Sequence, residues 1–176
     1  EYTGAAADGW LGTSFSPDYP RAHLDFIEAG ARKAGRSLSD IDVTATVSIA
    51  MGDNVEELID SKRMGVAFQM GAMGSAKTNF YNEAVQRSGY QDDALAIQAL
   101  WKQGKRDEAA ARVPDALVTQ FQAVGTPEMV RERFMKYKAA GVNSISIRTD
   151  EKAPMAERIG LLEQVMSIAT DVKQAA

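Results

Sequence analysis

A chain of 176 residues, 45% hydrophobic and 25% charged, is long enough to bury one sizeable core and has the make-up of an ordinary globular domain. Its net charge of −4 and pI near 5.1, with basic residues scattered along the chain, leave no positive patch for nucleic acid or an anionic membrane surface. The absence of cysteine removes disulfide and thiolate chemistry and fits a cytoplasmic setting, and no unbroken apolar run is long enough to cross a bilayer.

The chain has no initiator Met, and Glu1 to Ala7 read as the last turns of a helix feeding a strand. It is therefore expected to be the carboxyl-terminal part of a longer chain. An Asp8-Gly9 turn leads into Trp10-Leu11, and Gly12-Thr13-Ser14 leaves backbone and hydroxyl groups free at the strand's carboxyl end. Parallel α/β folds bind ligands at that end, although the same residues also suit an ordinary buried strand and loop. Ser16-Pro17 predicts a helix cap with Pro in the first turn. The helix carries Leu24, Phe26, Ile27 and Ala31 on one side and stops at Gly35. His23, the only histidine, has no Asp or Glu at a useful spacing on this helix, so it reads as a helix residue and no metal is expected.

After the connector Ser37–Ile41, Asp42 to Gly52 alternates strictly. Val43, Ala45, Val47, Ile49 and Met51 form one face, and Thr44, Thr46, Ser48 and Ala50 the other. This is a second strand, its apolar face toward helices and its hydroxyl face toward a barrel interior or cleft. Asp53 or Asn54 caps the next helix, which carries Val55, Leu58 and Ile59. From about 63 to 125 the pattern is a string of short helices with no strand, read as a helical insertion. In it Met64, Phe68, Met70 and Met73 crowd around glycines, a composition that suits flexible core or a subunit interface, and beside a barrel mouth a pocket wall or lid. Leu95, Ile97, Leu100 and Trp101 read as a packing face.

Thr126-Pro127-Glu128 opens a further helix with Val130, Phe134 and Tyr137 on its apolar side, ended by Gly141. A third strand runs from Val142 to Thr149, with Ile145, Ile147 and Thr149 on one face and Ser144, Ser146 and Arg148 turned inward; Asn143 breaks its apolar pattern at the start. Met155 to about Lys173 closes the chain as an amphipathic helix bearing Ile159, Leu162, Val165, Met166 and Ile168. The alternation predicts an α/β fold with parallel strands and right-handed crossovers. A (β/α)8 barrel takes eight strands and about 250 residues, so three strands amount to the last units of a TIM barrel. They form a single domain over 1–176 with the insertion at about 63–125. Free strand edges and an uncovered inner face predict a homo-oligomer or pairing with the missing amino-terminal half.

Several stretches, in order along the chain, carry a family resemblance. Glu1 to Gly12 resembles the helix-to-strand passage of the bacterial luciferase-like flavin-dependent oxidoreductases. Gly71-Ala72-Met73-Gly74, Asn79-Phe80-Tyr81-Asn82 and Arg87-Ser88-Gly89-Tyr90 are similar to the insertion of the branch that uses a deazaflavin and includes methylenetetrahydromethanopterin reductase. Gly125-Thr126-Pro127-Glu128 and Ala140-Gly141-Val142 resemble that family's last helix and final strand. The resemblance implies a TIM-barrel oxidoreductase that holds coenzyme F420, with FMN as the alternative, and exchanges a hydride with a small organic substrate. It names no catalytic residue in this chain, and the absent half puts independent catalysis in doubt. Because the ring carries the hydride, the protein has to supply an apolar slot and hydrogen bonds. At the first strand end, Trp10, Leu11, Gly12 and Thr13 are expected to supply part of that slot, and Arg148, turned inward near the end of the last strand, to hold an anionic group, the equal alternative for Arg148 being an ion pair with Asp150 or Glu151.

Overall fold

The structure, a computed structural model, describes residues 1–75 and 78–175. In chain order its elements are α1 (Tyr2–Ala6), β1 (Gly9–Gly12), α2 (Arg21–Lys33), a 3₁₀ turn (Leu38–Asp40), β2 (Asp42–Met51) and α3 (Val55–Gly71). They continue as α4 (Phe80–Val85), a kinked turn (Gln86–Tyr90), α5 (Gln91–Lys102), α6 (Arg106–Ala111) and α7 (Asp115–Phe121). The chain ends with β3 (Ala123–Gly125), α8 (Pro127–Ala139), β4 (Ser144–Arg148) and α9 (Met155–Gln174).

All strand pairing is parallel and runs through β2: β1 lies beside Asp42–Ala45, β4 beside Thr44–Ser48, and β3 beside Ile49–Met51. Since β1 and β4 both pair with Thr44 and Ala45, they occupy opposite edges of β2. The wall order β1-β2-β4 follows the chain, as in part of a TIM barrel. The alternation in β2 decides what each face meets. Val43, Ala45, Val47 and Ile49 are buried, while Thr44, Thr46, Ser48 and Ala50 keep contact with solvent. Leu24 and Ile27 of α2, Val130 and Phe134 of α8, and Val165 and Ile168 of α9 close over the apolar face. Burying each such side chain contributes roughly 1.5–3 kcal/mol, so this face holds the helices to the sheet. A second core, centred on Val66, Met70, Ile97 and Leu117, belongs to the helical insertion.

Several local expectations meet a different structure. There are four strands among the described residues, because Ala123–Gly125 pairs with the end of β2 inside the stretch read as purely helical. Three residues are too few to show a period of two. Helix α2 starts at Arg21, not after Ser16. Residues 16–19 form a turn closed by Tyr19 N–H on the Ser16 carbonyl (3.1 Å), and the Ser16 hydroxyl is buried without a partner among the described residues. In α9 only Val165 and Ile168 of the five expected apolar residues are buried; Ile159, Leu162 and Met166 are exposed. Leu95 is likewise exposed, while Ile97 of the same expected face is fully buried. The caps behave as read: Asn54 Oδ1 accepts from Glu57 N–H, and Thr126 Oγ1 from Met129 N–H (each 3.4 Å).

The Asn79–Asn82 segment is a polar joint. Asn79 caps α4 by accepting from Asn82 N–H (3.1 Å) and donates to the Met70 carbonyl (2.9 Å). The buried Asn82 amide donates to the carbonyls of Met70 (3.1 Å) and Ala94 (2.8 Å), and its oxygen accepts from Gln86 Nε2 (2.6 Å). It thus ties the end of α3 to α5. Replacing Asn82 by Ala removes these three bonds, two buried and one half-buried, at about 1 kcal/mol each. Urea unfolding of the intact protein should show the Asn82→Ala variant destabilised by about 2–4 kcal/mol; an unchanged midpoint would contradict the assigned joint.

Candidate functional site

The register fixes which residues share the open inner face of the sheet. Leu11 stands beside Thr44, Ser144 beside Thr44, Ser146 beside Thr46, and Arg148 beside Ser48. Thr44 Oγ1 and Ser144 Oγ are 2.8 Å apart across the strands. Leu11 is 68% exposed, an apolar side chain set among hydroxyls. Arg148 is exposed and makes no ion pair with Asp150 or Glu151; Asp150 Oδ1 instead accepts from Lys152 N–H (2.9 Å). Trp10 lies opposite Val43 and faces the helices, its indole edge-on to Phe15 (5.9 Å between centroids) and against His23 (5.2 Å). Gly12 shares that side, and a Cβ there would stand 2.1 Å from the indole. Of the four residues expected in one slot, the sheet therefore places Leu11 on the inner face, Trp10 and Gly12 on the helix-covered face, and Thr13 half-buried just past the strand end; Arg148, expected to hold an anion, shares the inner face with Leu11.

Beyond Thr13 the chain turns through Ser14, the one non-glycine residue with positive φ (+54°) among those described. Backbone in this region is strained for a side chain and persists only where its surroundings hold it. The Ser14 carbonyl accepts from His23 Nε2 (3.3 Å), which fixes the proton on Nε2, and its hydroxyl reaches Gln69 Oε1 of α3 (3.5 Å). Next along the loop, the Phe15 carbonyl accepts from the buried Tyr137 hydroxyl of α8 (3.3 Å). Burial drives the Tyr137 phenol far above its usual range, keeping that proton in place. Asp18 pairs with Arg133 and with Lys136 (2.6 Å), both of α8. Burial alone would raise its carboxyl, but the bonds from Lys136 and Arg133 outweigh it and hold Asp18 below the usual carboxylate range. The loop after β1 is thus fastened to α2, α3 and α8 at once.

Where β2 and β4 end, α3 and α9 enclose a cleft of about 510 Å³ lined by Met51, Leu58, Lys62, Thr149, Asp150 and Arg158 among others. Arg158 Nε donates to Thr149 Oγ1 (3.2 Å), so the guanidinium is held at the mouth. Lys62 and Arg158 were not singled out from the sequence; Ser14 was read as part of a free strand end, without its positive φ or its bonds to His23 and Gln69. Arg158 had a signal, as a cation in the first turns of the helix after the last strand; the strain at Ser14 had none, because Ser is not a residue that announces positive φ. The site offers apolar surface, hydroxyls and cations. Among the described residues no three His, Asp or Glu side chains gather to hold a metal.

Burial pushes His23 below the ordinary imidazole value of 6.5, opposed by its bond to the Ser14 carbonyl and aided by the charge of Arg87. Between the folded value and 6.5 the unfolded chain binds more protons than the folded one, so the neutral ring's contribution is complete above 6.5 and is lost as pH falls. Stability should fall between pH 7 and 5 with a slope of up to one proton, and His23→Gln should flatten that slope; denaturant unfolding across this range measures both.

Residues 1–144 match the family described as luciferase-like monooxygenase. A protein of Mycobacterium tuberculosis described as a coenzyme F420-dependent oxidoreductase is 30% identical over 142 residues, which cover 80% of this chain and 41% of that protein. The 5,10-methylenetetrahydromethanopterin reductase of Methanopyrus kandleri is 28% identical over 146 residues, covering 82% and 40%. The solved coenzyme F420-dependent tetrahydromethanopterin reductase of the same organism superposes with a TM-score of 0.67 at 26% identity, over 93% of this chain and 44% of that one. An F420-dependent secondary alcohol dehydrogenase, TM-score 0.63 at 14% identity, shares the fold. The chain spans about two fifths of the length of the curated relatives it matches, corresponding to their carboxyl-terminal part. On the profile match and the shared parallel wall, the chain belongs to the luciferase-like monooxygenase family.

Proposed function

We propose that the protein is an oxidoreductase that passes a hydride between coenzyme F420 and an organic substrate, and that this chain forms one wall of the site. The observation that carries the reading is the open inner face of the sheet, where exposed Leu11 stands beside Thr44, the hydroxyls of Thr46, Ser144 and Ser146 follow along β2 and β4, and Arg148, in no ion pair among the described residues, stands at the carboxyl end of β4. These residues fit a flat ring with a polar edge and an anionic tail: Leu11 provides apolar contact, the hydroxyls donate to and accept from the edge, and Arg148 holds the anion. The deazaflavin, when bound, supplies the hydride chemistry. The pinned loop after β1 keeps the strand-end backbone ready without reordering on binding. Relatives named for F420 support this cofactor over FMN.

The remaining barrel wall belongs to the amino-terminal half of such an enzyme. Met155, Ile159, Leu162 and Met166 repeat at helical spacing along the exposed side of α9, next to β4, and support packing against that half. Sedimentation of the 176-residue chain alone should show self-association or unfolding; a stable, cooperative monomer overturns the pairing.

Fluorescence titration of the intact protein tests the cofactor. F420 should bind saturably, and Arg148→Ala should weaken it at least tenfold. Binding of FMN alone overturns the cofactor assignment, and binding of neither overturns the reading.

A further inference from the structure

We propose that a hollow on the helical insertion, between α3, α5 and the start of α6, binds a planar aromatic molecule carrying an anionic group. Helix α3 buries Ile59, Val66 and Met70 in the insertion core, yet Met64 and Phe68 on another side remain 40% and 47% exposed. Phe68 meets Trp101 of α5 edge to face (5.8 Å, 79°). The Arg106 guanidinium lies over the Trp101 ring at 5.5 Å and is in no ion pair among the described residues. Together with Gly65 and Ala72 these residues enclose about 540 Å³, a volume suited to a small ligand. None of them lines the strand-end cleft.

Gly65 shapes the floor of this hollow. It sits inside a 17-residue helix, where glycine costs roughly 1 kcal/mol relative to alanine. Four other glycines have a packing reason: a Cβ on Gly4 or Gly30 would stand 1.8 Å from a carbonyl oxygen, on Gly12 2.1 Å from Trp10, and on Gly71 2.3 Å from Trp101. At Gly65 a Cβ meets nothing within 4 Å. Gly160 inside α9 is equally open, so open space alone does not mark a ligand; at Gly65 it coincides with the hollow and leaves room for a molecule lying along α3. The flat faces of Phe68 and Trp101 favour an aromatic ring. Arg106, already stacked on Trp101, leaves its N–H edge free for a carboxylate, sulfonate or phosphate. Asp107, on the same rim, opposes the anion and so gives the test a sign.

The probe is naphthalene-2-sulfonate, with naphthalene-2-methanol as its neutral counterpart, titrated into the intact protein by calorimetry. The sulfonate should bind saturably. Arg106→Gln should weaken it at least fivefold and leave the neutral compound unchanged, and Asp107→Asn should tighten it. Gly65→Leu, a strong helix former that fills the hollow, should weaken both compounds at least tenfold while the melting temperature holds or rises. Absence of saturable binding, as when another part of the protein or a second copy caps the hollow, overturns the proposal. So does sulfonate affinity that neither Arg106→Gln nor Gly65→Leu changes. Neither cofactor nor turnover enters, so the result stands apart from that of the redox reading.

Discussion

Everything in this chain hangs on β2, a ten-residue strand paired in parallel on both edges and chemically different on its two faces. A slip of one residue would turn Val43, Ala45, Val47 and Ile49 to the open side and drive the hydroxyls of Thr44, Thr46 and Ser48 under the helices. Each stranded hydroxyl would cost about 1–3 kcal/mol, so the register is strongly specified. Asn143 helps to set it: its backbone N–H donates to the Val43 carbonyl (2.8 Å), and its side-chain oxygen accepts from Val43 N–H (2.7 Å). The residue that breaks the apolar pattern of the last strand is therefore the one that positions it.

The loop after β1 shows how the helices that cover one face also shape the strand ends. Ser14 in the left-handed region costs on the order of 1–3 kcal/mol. Bonds from His23 and Tyr137, each roughly 1 kcal/mol, together with the ion pairs of Asp18, offset that cost. The partners come from helices whose positions the sheet core has already fixed. Local strain is thus held by tertiary structure, and the loop geometry follows from helices packed nine to more than a hundred residues away in sequence.

This division explains what the sequence disclosed. Period-two alternation over ten residues, a cap such as Asn54 or Thr126, and a stop at Gly141 are local signals, and the structure follows them. Features set by distant contacts were not readable. In the four residues of β1, Trp10 and Leu11 are both apolar, and only pairing with Val43 and Thr44 decides that the indole goes under the helices and Leu11 to the open face. β3 is too short to carry a pattern, and its pairing needs β2 beside it. In α9 the apolar residues cover more of the circumference than one sheet can bury, so spacing alone could not separate Val165 from Met166. Of the candidate site, the facing of the hydroxyls and of Arg148 was readable because it obeys strand alternation; the conformation and partners of Ser14, and the places of Lys62 and Arg158, were not, because they exist only in three dimensions.

Helix α3 shows the same point from the other side. One row, Ile59, Val66 and Met70, builds the insertion core; another, Leu58 and Lys62, lines the strand-end cleft; and Gln69 reaches Ser14. A helix with partners on several sides cannot show a single apolar stripe, and that is why its sequence looked like loose, Met-rich punctuation. The insertion core, the cleft and the strained turn thus all draw residues from the same helix. At its carboxyl end the buried Asn82 amide, bonded to the Met70 and Ala94 carbonyls, ties α3 to α5.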